Sequence, residues 1–264
     1  MAKIHPLANV HPDAKLGKNV TVEAFTTIYP DVVIGDNCWI GPNVTIFNGA
    51  RLGNNIKIFP GAVISAEPQD LKYQGEETTL EIGDNTIIRE MTSLHKGTKS
   101  RGKTVIGKNN LIMAYVHIAH DCVIGNNVIL VNGVQLAGEV EVDDWAIVGG
   151  TAAVHQFVRI GKHAMIQGGA LVRQDIPPYS RVGREPLVYE GVNSVGLRRR
   201  GFTNEQIRMI EDMYRYVFLK GYNLKHAIEE IEKNFPDTPE KQEVLNFLRT
   251  TQRGLVKSPL AVKK

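Results

Sequence analysis

The sequence is short of cysteine, of aromatic residues and of long apolar runs. Only Cys38 and Cys122 are present, with no Cys-x-x-Cys pair, which excludes a disulfide framework and a zinc ribbon. Aromatic residues make up 7% of the 264 residues, so the core is expected to be built from small aliphatic side chains rather than rings. No uninterrupted apolar run reaches the roughly 18 residues of a membrane-spanning helix. The opening MAKIHPLANVHPDA has polar residues and Pro where a secretory signal needs an apolar stretch, so a cytoplasmic location is expected. A net charge of +3 is too small to argue for a nucleic-acid partner. What is plentiful is Gly, at 25, and Pro, at 12, which implies many turns.

The turns are periodic. Stepping by six from Ile4 gives Val10, Leu16, Val22, Ile28, Ile34, Ile40, Ile46, Leu52, Ile58 and Ile64 without a miss. The series resumes at Ile82, Ile88 and Leu94, then runs from Ile106 to Val172. Of the 29 positions from 4 to 172 only Asp70, Glu76 and Ser100 are not Ile, Val or Leu. Gly follows the anchor at 17, 35, 41, 53, 83, 107, 125, 149 and 161, and Asn is frequent nearby; both tolerate left-handed backbone angles. Each hexad therefore reads as a short strand and a turn. Three hexads close a triangular coil of 18 residues, and coils stack at roughly the 4.8 Å strand spacing into a parallel β-helix. The period leaves the handedness open.

The phase survives each interruption, so the misses mark two loops thrown out of the solenoid, near 66–79 (AEPQDLKYQGEETT) and 97–104 (GTKSRGKT). After Pro177 and Pro178 the six-residue step ends and a helical period takes over, dividing the chain into a coil over 1–190 and a helical segment over 191–264. Thr203 with Gln206 predicts a capping box, Asn223 a second helix start and Thr238-Pro239 a third. Residues 195–264 hold 14 basic against 9 acidic side chains, so the positive charge sits in this tail, as a solvated helix surface or as a docking face for an acidic partner.

An 18-residue coil places chemistry by arithmetic. His120, Gly138 and Gln156 fall in one column near a corner, with His117 on the strand leading to it and His155 in the adjacent column. The set suits acyl transfer to a hydroxyl. His120 would act as general base, because imidazole titrates near neutral pH. Asp121 would orient it, provided that a corner bend turns both side chains to one side. Gly138 would offer an unobstructed N–H to a developing oxyanion. The same imidazoles fit a second reading, in which His117, His120 and His155 bind zinc in a hydratase of the gamma carbonic anhydrase type, and spacing does not decide between the two. Gly150 and Gly168, also 18 apart, would leave a groove free of side chains along an edge.

The segments QDLKY (69–73), IREMTSLHKGT (88–98), HIAHDCVIGNN (117–127), LAGEVEVDD (136–144), VHQF (154–157), QDIPPY (174–179) and GVNSVGLRRRGF (191–202) together resemble the UDP-N-acetylglucosamine 3-O-acyltransferases over nearly the whole chain. The resemblance implies a left-handed β-helix with a C-terminal helical domain, and transfer of a 3-hydroxyacyl chain from acyl carrier protein to the sugar 3-hydroxyl, the first acylation of lipid A biosynthesis. It implies His120 as base with Asp121 as partner, and Gly138 as the oxyanion amide. It further implies substrate contacts at Gln69, Asp70, Lys72, His95, His117, His155 and Gln156, and contacts near the nucleotide and its phosphates at Asn193, Arg199 and Arg200. Arg suits the latter because its planar fork pairs with phosphate oxygens. Gly168 would help to end the acyl groove and admit a long chain. No cofactor or metal is implied, and the assembly would be a homotrimer with sites between subunits. Two positions depart from the family pattern. Glu139 stands where many members have His after LAG, one coil above Asp121, and two close carboxylates repel unless a cation intervenes. Val195 stands where some members have Glu.

Overall fold

Two inward positions in most hexads drive the chain into a coil. The aliphatic anchor and the residue two before it both face inside, as with Val20 and Val22, Val44 and Ile46, Ile56 and Ile58, and Cys122 and Ile124, each at most 1% exposed. Burial of each such side chain favours the fold by about 1.5–3 kcal/mol. The residue between them points outward, the two-residue alternation of a strand. The structure, a computed structural model, describes residues 2–258 and 260. The ends of the chain at Met1 and residues 261–264, and Pro259, lie outside the described residues.

The strands are two to five residues long and form three sheets of eleven, nine and eight strands. The chain visits sheet 1 at Lys3–Ile4, sheet 2 at Asn9–Val10 and sheet 3 at Lys15–Leu16, then returns to sheet 1 at Thr21–Val22. Lys3 pairs in parallel with Thr21 and Ile4 with Val22, so one coil takes 18 residues as the period predicts. Cys38 and Cys122 are both buried and free.

The two interruptions change this spacing by whole hexads. Leu52 pairs with Ile82, 30 residues on, and Ile82 with Ile106, 24 residues on. The insertions therefore add two hexads and one hexad, which is why the aliphatic phase returns unchanged. Both leave the coil at the corner between sheets 2 and 3, in successive coils, and so lie against each other. Strand pairing trims them to 67–78 and 96–102, because Ala66 and Thr79 end and begin strands and Lys103–Ile106 is a strand.

The corner between sheets 3 and 1 is held by left-handed residues in a column. Asn19, Asn37, Asn55, Asn85, Asn109 and Asn127 all have φ of 57–59°. Their amides bond along the column, Asn19 to Asn37 at 3.1 Å and Asn85 to Asn109 at 3.2 Å. Higher up, rings replace amides. Trp145 and His163 stack at 6.1 Å and 6°, and His163 and Tyr179 at 5.6 Å and 15°.

The coil ends in a strand pair, Ser180–Gly183 antiparallel to Val188–Val192, before four helices: α1 (Ser194–Arg199), α2 (Asn204–Phe218), α3 (Leu224–Asn234) and α4 (Pro239–Thr250). The predicted capping box at Thr203 and Gln206 opens α2, while Asn223 and Thr238 cap α3 and α4. The segment after α4 folds back onto the coil, where the fully buried Asp175 accepts from the Arg159, Gln252 and Arg253 N–H groups and from the Thr251 hydroxyl.

Candidate active site

The corner between sheets 2 and 3 carries the chemistry. Strand register aligns His117 with Gln135 and then Ala153, so His120, Gly138 and Gln156 do stack at one corner. Asp121 has φ of 60°, the bend that turns its carboxylate back beside the neighbouring imidazole. His120 Nδ1 lies 2.8 Å from Asp121 Oδ2, and both residues are buried, at 8% and 0% exposure.

Asp121 is held from every side. Its Oδ2 accepts from the Thr98 hydroxyl at 2.6 Å, and its Oδ1 from the Thr98 N–H at 3.0 Å and the Arg101 N–H at 3.1 Å. Its own N–H donates to Thr104 Oγ1 at 2.8 Å. Burial pushes the carboxyl up, but the bonds from Thr98, His120 and Arg101 outweigh it and hold the group below the usual carboxylate range. An ionised Asp121 fixes the tautomer of its neighbour. Nδ1 must carry the proton, and the lone pair of neutral His120 is then on Nε2.

That nitrogen faces Gly138 and the first insertion. A Cβ at 138 would sit 2.6 Å from both Cε1 and Nε2 of His120, so only Gly fits against the ring. The sheet ladder uses the N–H groups of Ala137 and Glu139 and leaves that of Gly138 out. Asp70 Oδ2 stands 4.0 Å from His120 Nε2, and its Oδ1 is held by the Lys72 N–H at 3.0 Å. Gln69 and Lys72 beside it are exposed.

His95 and His117 extend the cluster along sheet 2, edge to face at 4.9 Å. His117 Nδ1 meets the Ser93 hydroxyl at 2.7 Å, and burial lowers its pKa. Burial, then the neighbouring His117, push His95 down to about 4, against the opposing bond to the Glu67 carbonyl. Its buried Nδ1 has no partner among the described residues.

His155 is exposed and its Nδ1 meets Arg253 Nη2 at 3.1 Å; Gln156 is half-buried beside it. Asn193 is buried with both side-chain ends engaged, Oδ1 accepting from the Gly196 N–H to cap α1 and Nδ2 donating to the His163 carbonyl. Arg199 is exposed on α1, whereas the Arg200 guanidinium lies 5.2 Å over the Trp145 ring with Nη1 buried and unpartnered among the described residues. Gly150 and Gly168 stack as expected, but at the corner between sheets 1 and 2, a different edge from His120.

The zinc reading is corrected. His117, His120 and His155 do not converge, since their Nδ1 atoms are turned to Ser93, Asp121 and Arg253, and no group of three His, Cys, Asp or Glu among the described residues could hold a metal ion. Sequence reasoning marked the second insertion but none of the residues in it that matter most. Thr98 and Arg101 lie outside the 18-residue columns, and the only signal was the loop itself.

Residues 175–256 match a family model described as UDP-N-acetylglucosamine O-acyltransferase, domain 2, and residues 31–66 and 103–138 match bacterial transferase hexapeptide repeats. A protein of Herminiimonas arsenicoxydans named acyl-[acyl-carrier-protein]–UDP-N-acetylglucosamine O-acyltransferase is 45% identical over 97% of this chain and 100% of its own. The crystal structure of a UDP-N-acetylglucosamine acyltransferase from Bacteroides fragilis superposes with a TM-score of 0.95 at 48% identity, covering 96% of this chain and 99% of that one. The corresponding structure from Francisella novicida gives a TM-score of 0.95 at 42% identity, covering 99% of this chain and 97% of that one.

Proposed function

The chain belongs to the UDP-N-acetylglucosamine O-acyltransferase family, and on that footing we propose that it transfers a 3-hydroxyacyl chain from acyl carrier protein to the 3-hydroxyl of UDP-N-acetylglucosamine, the first step of lipid A biosynthesis. One observation carries the mechanism: His120 is fixed on one side by Asp121, and its other nitrogen opens between the Gly138 backbone and the Asp70 loop.

His120 Nε2 takes the proton of the sugar 3-hydroxyl as the oxygen attacks the thioester carbonyl. The carbonyl oxygen becomes an oxyanion facing the Gly138 N–H, a donor preorganised in the coil. When the tetrahedral intermediate collapses, the C–S bond breaks and the imidazolium returns its proton to the leaving thiolate. The new ester and free carrier thiol leave His120 neutral, ready for another cycle. The thioester supplies the activation, so the step needs no cofactor.

Gln69, Asp70 and Lys72 would contact the sugar from the first insertion, with His95 and His117 lining the approach. Gln156 would lie further along the same column with His155 in the next one, and Arg199 and Arg200 near the pyrophosphate. Asn193 acts on this reading by fixing the start of α1, the helix that carries Arg199 and is followed directly by Arg200 at its C-cap. Both substrates are water-soluble carriers, which accords with a cytoplasmic enzyme, and the separate edges of the prism favour a homotrimer.

His120→Ala is expected to lower kcat by about 10²–10⁴-fold with KM largely kept. Steady-state assay with UDP-N-acetylglucosamine and 3-hydroxyacyl carrier protein, with the product identified by mass spectrometry, checks both claims. Near-normal turnover by the variant would remove His120 from its role, and absence of a 3-O-acylated sugar nucleotide with the intact protein would overturn the function.

A further inference from the structure

Glu139 is one of the two positions, with Val195, that the resemblance leaves without an assigned role, and its surroundings give it work. It sits one coil above Asp121, its N–H bonded to the His120 carbonyl at 3.0 Å and its φ at 60°. Its side chain turns neither to the imidazole nor to solvent but to the second insertion. Oε1 accepts from the Ser100 hydroxyl at 3.0 Å, and Oε2 lies 3.8 Å from Arg101 Nε. The same guanidinium meets Glu141 at 2.6 Å, and Glu141 also faces Arg159 at 3.3 Å. Arg101 thus pairs with Glu139 through its side chain and bonds Asp121 through its backbone N–H.

The residues gripped in this way are the neighbours of those that hold the catalytic pair. Thr98 donates twice to Asp121, and its hydroxyl also accepts from the Ser100 N–H at 3.2 Å. Arg101 grips Glu139 and Glu141 with its side chain while its backbone N–H donates to Asp121. On the far side, Glu76 of the first insertion accepts from the Lys99 N–H at 3.2 Å. A loop of seven residues, 96–102, is therefore clamped from above and below, with its bonds to Asp121 in the middle.

We propose that Glu139 is a positioning residue for acyl transfer: with Glu141 it clamps the 96–102 loop through Ser100 and Arg101, so that Thr98 and the Arg101 amide hold Asp121, and through it His120, in one orientation. The inference rests on His120 and Asp121 acting as the proposed catalytic pair. It gives Glu139 a task that needs no contact with substrate, and it explains how an acid is tolerated one coil from a buried carboxylate.

The test is a double-mutant cycle on the full-length protein, read as kcat and KM. Glu139→Gln is expected to lower kcat about tenfold with the KM for UDP-N-acetylglucosamine within twofold, and Ser100→Ala to give a smaller loss of the same kind. In an Asp121→Asn background the further loss from Glu139→Gln should shrink to less than about twofold, because the grip then holds nothing that matters. Glu139→Asp with partial return of kcat would support the carboxylate as the gripping group. An undiminished tenfold loss in the Asp121→Asn background, or a loss confined to KM, would overturn the proposal and mark Glu139 as a substrate contact. Should Glu139→Gln fail to fold, Ser100→Ala alone decides, since its effect must also vanish with Asp121→Asn. Loss of the His120 requirement would sink the underlying reading instead, so the two failures are told apart by His120→Ala.

Discussion

At the scale of the residue, the site depends on what is missing from position 138 as much as on what is present at 120. The ring of His120 fills the space in which a Cβ would stand, 2.6 Å from Cε1 and Nε2. Gly138 is not among the residues with positive φ, so Ala is compatible with its backbone, and the conflict falls on the imidazole rather than on the coil. Gly138→Ala is therefore expected to lower stability by about 1–3 kcal/mol while the coil still folds, and to lower kcat by about 10²-fold or more, through a displaced base and a shifted oxyanion donor. Kinetics together with a melting curve checks this; full activity would mean that His120 does not work from its observed place. The column of His120, Gly138 and Gln156 was legible in the sequence because an uninterrupted 18-residue repeat turns spacing into position. Thr98 and Arg101 were not, because a loop outside the repeat has no register, and its bonds to Asp121 exist only after two coils have stacked.

At the scale of the element, the repeat made nearly all of the prism legible: anchors, coil length, the two insertions and the three longer helices follow from periodicity and caps. The short α1 and the terminal strand pair were less legible, since neither is long enough to display a period. The ring column of Trp145, His163 and Tyr179 was not legible, although the burial of histidines in this fold has a measurable consequence. His95, beside the insertions, and His163, in the ring column, are both pushed down to about 4 chiefly by burial. His163 is also opposed by Arg200 and Lys162 and only partly favoured by Asp144. Between the ordinary histidine value of about 6.5 and 4 the unfolded chain takes up protons that the folded chain refuses. Stability is therefore full above about pH 6.5 and declines as pH falls toward 4, by up to about 3 kcal/mol for each ring. His163→Phe retains a ring for the stack with Trp145 and Tyr179 and removes the titration, so unfolding measured from pH 7 to 4.5 at fixed protein concentration should show a shallower decline. An unchanged slope would mean that His163 is protonated in the folded state.

At the scale of the whole molecule, the prism separates parts that the proposed reaction would join. His120 and the two insertions lie at the corner between sheets 2 and 3, whereas Gly150 and Gly168 lie at the corner between sheets 1 and 2. A narrow triangular solenoid has its interior filled by aliphatic side chains, so an acyl chain attached at the first edge cannot pass through to the second. If the glycine edge receives the chain, it does so from a neighbouring copy, and rotational symmetry then repeats the arrangement in a closed ring. Complementation tests this directly. One chain carries His120→Ala with its glycine edge intact, and the other carries Gly168→Met, which fills the groove against a long donor but keeps the base. Each homogeneous protein should be poorly active with a long 3-hydroxyacyl donor. Mixed assemblies refolded or coexpressed in equal amounts should regain about a quarter of the native sites, those in which an intact His120 edge meets an intact glycine edge across the interface. A mixture no more active than its two components would place base and groove within a single chain, and a monomer in solution with full activity would remove the need for a shared site altogether.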